Sequence, residues 1–119
     1  MATTYVEIDD KYIPKTSDQL ISISAEIGDG QAGAYLVFLD KKLKGNNVTA
    51  DIGKKNEVLG KRSIISATVI DTLEETNWTS LTIKIKEGAN EQVYGPYSKE
   101  VAKHLDTVCF IIKILNSNE

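Results

Sequence analysis

Through most of the chain, apolar side chains recur at every second position, the period of a β-strand with one dry and one wet face. Ile21, Ile23, Ala25 and Ile27 alternate with Ser22, Ser24 and Glu26. Val48, Ala50 and Ile52 alternate with Thr49 and Asp51, and Thr79, Leu81, Ile83 and Ile85 alternate with Ser80, Thr82, Lys84 and Lys86. Two segments, Tyr35 to Leu39 and Val108 to Leu115, are apolar on both faces, the second interrupted only by Lys113. Runs of that kind suit central strands covered on both sides.

Turn residues separate these segments: Gly28-Asp29-Gly30, Gly45-Asn46-Asn47, Glu74-Glu75-Thr76-Asn77, Gly88-Ala89-Asn90 and Gly95-Pro96. The pattern predicts strands near 5–9, 20–27, 34–40, 47–52, 63–73, 78–87, 91–97 and 107–115. One short helix is expected at 98–104, with Ser98 as its cap and Glu100 in its first turn. The expected fold is all-β: one antiparallel β-sandwich of about eight strands, immunoglobulin-like or jelly-roll-like, spanning 1–119 as a single domain.

Composition narrows the function classes. The 119 residues are 41% hydrophobic, which is globular rather than disordered. Acids outnumber bases by 17 to 14, so the chain lacks the basic surplus of a nucleic-acid binder or a polybasic membrane anchor. No apolar run approaches the ~20 residues of a membrane helix. The first ten residues lack a basic stretch followed by an apolar core, so no secretory leader is expected. Cys109 has no partner for a disulfide. A cytoplasmic protein is expected, with a mature secreted domain as the alternative.

Several motifs bear on chemistry. Gly28-Asp29-Gly30-Gln31-Ala32-Gly33 matches the G-x-G-x-x-G of dinucleotide folds and follows a predicted strand. Asp51 even lies near the distance of a ribose-binding carboxylate. However, Tyr35-Leu36-Val37-Phe38-Leu39 is rich in strand formers, and no crossover helices follow. The glycines are therefore expected to form a hairpin loop. Gly60-Lys61-Arg62-Ser63 resembles the end of a phosphate loop, but Lys55 occupies the required upstream glycine position. His104 is the only histidine; with Ser98 and Asp106 it makes a hydrolytic trio on paper, without a G-x-S-x-G elbow. Cys109, inside an apolar strand, is expected to be a small buried hydrophobe. One cysteine and one histidine cannot supply a structural zinc site. Asn47-Val48-Thr49 and Asn77-Trp78-Thr79 match glycosylation acceptors and are equally explained as turn asparagines.

Calcium depends on loop placement. If loops alternate between the two ends of the sandwich, Asp9, Asp10, Asp18 and Asp40 should meet Asp71, Glu74 and Glu75. Among the aromatics, Trp78, Tyr94 and Tyr97 are the candidate partner-binding residues, suited to a protein partner or a sugar. No catalytic residue, metal ligand or cofactor is expected. The expected function is a non-catalytic binding or structural module, a protein–protein component of a larger assembly. A calcium- or carbohydrate-binding sandwich is the first alternative, and a small hydrolase or nucleotide-binding domain the second. Two-sided apolar strands and exposed terminal edges also suggest self-association, most simply as a homodimer.

Overall fold

The computed structural model describes residues 2–16 and 18–119. Its strands are β1 (Thr3–Tyr12), β2 (Ile21–Ile27), β3 (Ala32–Leu39), β4 (Lys42–Asn46), β5 (Ala50–Gly53), β6 (Arg62–Ile70), β7 (Trp78–Glu87), β8 (Asn90–Glu100) and β9 (Thr107–Asn116), with one helical turn, α1 (Lys55–Val58). They form two sheets, ordered β1-β9-β6-β3-β4 and β5-β2-β7-β8. The fold is the expected all-β sandwich.

The period-two alternation decides which side chains meet between the sheets. β2 and β7 direct Ile21, Ile23, Leu81, Ile83 and Ile85 inward, and β6 and β9 answer with Ile65, Ala67, Val69, Val108, Phe110, Ile112 and Ile114. A one-residue slip in β2 or β7 would bury Ser22, Ser24, Lys84 or Lys86, so the register of that sheet is strongly fixed. The two-sided apolar segments are interior strands, as expected: β3 lies between β6 and β4, and β9 between β1 and β6.

Four details depart from the sequence reading. The helix expected at 98–104 does not form. Ser98, Lys99 and Glu100 pair with Ser80, Thr79 and Trp78 of β7. The hydroxyl of Thr79 donates to the carbonyl of Lys99 at 2.7 Å, and buried Val101 anchors the strand end. The would-be cap residue is therefore used up by sheet pairing. The only helix among the described residues is α1, where the carboxylate of Glu57 accepts the N–H of Lys54 at 2.9 Å. Second, a strand not expected from the sequence, β4, precedes the one expected at 47–52, which is β5 and makes nine strands in place of about eight. Asp40 adopts φ 50° and closes a two-residue turn into β4; Asn47 adopts φ 58° and releases the chain to the other sheet. Third, the carboxy-terminal strand β9 is interior rather than an edge; β1, β4, β5 and β8 are the edges. Fourth, the sandwich is not wholly antiparallel, because β1 and β9 run parallel over their full lengths. The β1–β2 connection crosses between sheets, so no hairpin dictates the direction of β1.

The glycine cluster is a tight turn from β2 to β3, a loop as expected, but not the expected hairpin, because the two strands belong to different sheets. Asp29 and Gly30 both have positive φ, and the Gln31 N–H closes the turn on the Gly28 carbonyl at 3.2 Å. Positive φ at both central positions explains an Asp-Gly pair. A methyl group at Gly33 would overlap the Thr68 carbonyl of β6. Gly33→Ala is therefore expected to cost about 2 kcal/mol, measured by chemical denaturation, because neighbouring backbone must give way.

Candidate functional site

The outward faces of the two sheets differ in kind. On the four-stranded sheet, cross-strand neighbours are polar: Ser22 beside Lys86, Ser24 beside Lys84 and Glu26 beside Thr82. That is the ordinary solvated face of an antiparallel sheet. On the five-stranded sheet, one row reads Glu7, Ile111, Ser66, Leu36, Asn46 and the next reads Asp9, Lys113, Ile64, Phe38, Leu43. Ile111, Leu36, Ile64 and Phe38 are half-buried by their neighbours, while Leu43 and Tyr5 are 51% and 68% exposed. The charges on this face sit toward β1, where Asp9 is the register partner of Lys113. Cys109 is also here, partly exposed with Sγ 3.9 Å from the Thr68 hydroxyl, rather than inside the core.

Each end of the sandwich is organised by one buried polar side chain. At the end carrying α1, Glu87 is fully buried. Its Oε1 accepts the Tyr12 hydroxyl at 2.6 Å and the Lys15 N–H at 2.8 Å. Its Oε2 accepts the Thr16 N–H at 2.7 Å. Burial pushes this carboxyl up, but the Thr16 N–H, the Tyr12 hydroxyl and the Lys15 N–H outweigh it and hold it below the ordinary glutamate value. Burial, then the adjacent carboxylate, pushes the Tyr12 phenol well up. Glu87 thereby ties the segment after β1 to the end of β7, joining the two sheets.

At the opposite end the same role falls to Gln31, which is 8% exposed. Its Oε1 accepts the N–H groups of Thr72 at 2.8 Å and Leu73 at 3.1 Å. Its Nε2 donates to Asp71 Oδ1 at 2.9 Å and to the Trp78 carbonyl at 3.0 Å. The residues between β6 and β7 are thus wrapped around one amide. Period two could have flagged Glu87, since it continues the inward phase of Leu81, Ile83 and Ile85. Nothing in the glycine-rich context marks Gln31.

Of the aromatic residues singled out in the sequence, Tyr94 and Tyr97 meet at Asp10 and Lys11, and Trp78 stands apart. Tyr94 is buried, and its hydroxyl donates to the Lys11 carbonyl at 2.8 Å, tying the β8 edge to the β1 edge. Tyr97 is half-buried, 3.5 Å from Asp10 Oδ2, and burial followed by that carboxylate raises its phenol. Trp78 is 47% exposed, but it begins β7 beside Glu100, near the opposite end from Asp10 and Lys11. Asp106 commits both carboxylate oxygens to backbone, accepting from Ala2 N–H at 2.9 Å and Lys103 N–H at 3.1 Å, while Ser98 and His104 are exposed. Those two N–H groups, Ala2's foremost, hold the Asp106 carboxyl low.

The acidic loops separate as well. The extra reversal at Asp40 exchanges the ends of every later loop, so Asp9, Asp10, Asp18 and Asp40 sit at the α1 end while Asp71, Glu74 and Glu75 sit at the other. The calcium convergence expected from eight strands therefore does not occur. Among the described residues no group of three or more His, Cys, Asp or Glu is placed to hold a metal ion. No helix among them is long and apolar enough to cross a membrane.

Compared with protein-family models, curated proteins and solved structures, this chain has no match.

Proposed function

We propose that this chain is a non-catalytic assembly component, and that the outer face of its five-stranded sheet is the contact surface, covered by a second copy. The contiguity of apolar side chains on this outer face carries the reading: Ile111, Ile64, Leu36, Phe38 and Leu43 adjoin across four strands, whereas the other outer face sets Val93 and Trp78 apart among Ser, Lys, Glu and Thr. Contiguous apolar surface of this kind marks contact sites on otherwise ordinary domains. Its dimensions suit a dimer. Five strands about 4.8 Å apart, each roughly 30 Å long, present on the order of 700 Å². A stable interface buries about 800 Å² per partner. Along β1 and β9 the outward charges are Glu7 and Asp9 against Lys11 and Lys113, a balance that lets an identical partner approach without net repulsion from these strands.

Sedimentation equilibrium of the whole chain in about 0.5 M salt, where surface charge is screened, tests this reading. The expected mass is twice 13.1 kDa at high concentration, falling to the monomer on dilution. Ile111→Lys places a charge in the middle of the face and is expected to weaken the dimer at least ~30-fold. A monomer at every concentration overturns the proposal.

A further inference from the structure

We infer that copies of this chain also associate end to end, the acidic tip between β6 and β7 of one copy seating in a lysine-rimmed cleft at the α1 end of the next. The cleft encloses about 670 Å³. Its floor is Leu39 and Ile52, both buried, and its rim carries Lys41, Lys42, Lys44 and Lys61. Two carboxylates also line it, and each is partly spent on backbone: Asp40 accepts the Arg62 N–H at 2.9 Å and Glu57 the Lys54 N–H at 2.9 Å. Four ammonium groups against two such carboxylates leave a surplus of two positive charges around an apolar floor. That is a cradle for an acidic segment bearing an apolar side chain.

The chain carries such a segment at its far end. Leu73 is half-buried and Glu74 and Glu75 are exposed, with exposed Asp29 on the neighbouring turn. Gln31 fixes the Thr72 and Leu73 backbone, so this tip is ordered before it binds and loses little entropy on contact. The molecule extends 46 Å along its long axis and about half that across, and the strand order puts tip and cleft at opposite ends. One copy cannot close the contact on itself. A contact between unlike surfaces repeats from copy to copy, into a filament or a closed ring, instead of stopping at two. It uses residues separate from the sheet face, so either contact can fail alone.

Sedimentation velocity on the Ile111→Lys chain tests the end contact without the face contact. At ~25 mM salt the sedimentation coefficient is expected to climb with concentration, and at ~0.5 M the apparent association constant should fall at least ~10-fold. Two further chains, both in the Ile111→Lys background, give the decisive mixture. K42Q/K44Q spoils the cleft and keeps the tip; E74Q/E75Q spoils the tip and keeps the cleft, and the two neutralised surfaces offer each other no charge complementarity. Each alone should stay monomeric at low salt, and their equimolar mixture should form a 1:1 complex that grows no further. Self-association that ignores salt, growth by either variant alone, or a mixture that remains monomeric overturns the inference. So does an Ile111→Lys chain that stays monomeric at low salt while binding a glutamate-rich peptide, because the cleft would then serve another partner.

Discussion

Glu87→Gln is expected to destabilise the fold by about 3 kcal/mol, a large part of the ~5–15 kcal/mol available to a domain of this size. The carboxylate is an acceptor at both oxygens, and its partners are all donors: a phenol hydroxyl and two backbone N–H groups. A glutamine offers one acceptor and one NH₂. If the NH₂ takes the Oε2 position it faces the Thr16 N–H. If it takes Oε1, the Tyr12 hydroxyl can rotate to accept and the Lys15 N–H keeps its second bond, 3.0 Å to Oε2, but that N–H then also lies 2.8 Å from an NH₂. Either way a sheltered backbone N–H is set against an NH₂, and the charge-assisted bonds of the carboxylate become neutral ones. Urea denaturation measures the cost, and an unchanged midpoint would show that the clamp is idle. Tyr12→Phe, which removes a single donor, should cost only about 1–2 kcal/mol.

The pH dependence has a definite sign. The folded carboxyl titrates below the ordinary glutamate value of 4.5. Its contribution is therefore complete above that pH and drains away as pH falls through the lower folded-state value. Asp106, also held low, acts in the same direction. The parent should lose stability steeply below about pH 4.5, and the Glu87→Gln chain less steeply, so the gap between them closes in acid.

Gln31→Ala is expected to cost a comparable amount, about 3 kcal/mol, through the opposite end of the molecule. Truncation orphans the Thr72 and Leu73 N–H groups and the Trp78 carbonyl, and removes the Asp71 contact. Asp71 is fully buried and its Oδ2 already lacks a hydrogen-bond partner, so its carboxyl would lose the one it has at Oδ1. Water can enter such a gap and recover part of the loss. Hydrogen exchange distinguishes this effect from general softening. Amides of 71–77 should exchange faster in the variant, while those of β6 and β9 change only with global stability.

How much could be read in advance followed the physics of each segment. Strands β2 and β7 were legible because one face of each must be polar, leaving a single phase that buries no charge. Strands β3 and β9 were legible as strands but not in facing, since Phe38 and Val37, or Ile111 and Ile112, are equally greasy. Their orientation is settled by neighbours such as β6, where Ser66 and Thr68 look outward and Ala67 and Val69 inward. The Asp40 turn was hidden because Lys41, Lys42 and Lys44 read as a charged loop. Missing that one reversal moved Asp71, Glu74 and Glu75 to the wrong end and created a calcium site that does not form. The apolar outer face was half visible: two-sided apolar strands predicted cover, but only the sheet order set Leu36, Phe38, Ile64 and Ile111 side by side. Glu87 and Gln31 act through partners 72 and 41 residues away, pairings no local pattern encodes.

The parallel pairing of β1 with β9 has a consequence for biogenesis. β9 is the sole hydrogen-bonded neighbour of β1 and also flanks β6. During synthesis β1 emerges first and must wait for nearly the whole chain before its ladder can form. Until then one margin of β6 lies open, and Val108, Phe110, Ile112 and Ile114 are missing from the interior. Closure therefore comes as one late event with a long search, typical of topologies dominated by distant contacts. A polypeptide stalled before residue 107 would present two unsatisfied strand margins to its neighbours, the condition under which nascent β-proteins aggregate or recruit chaperones.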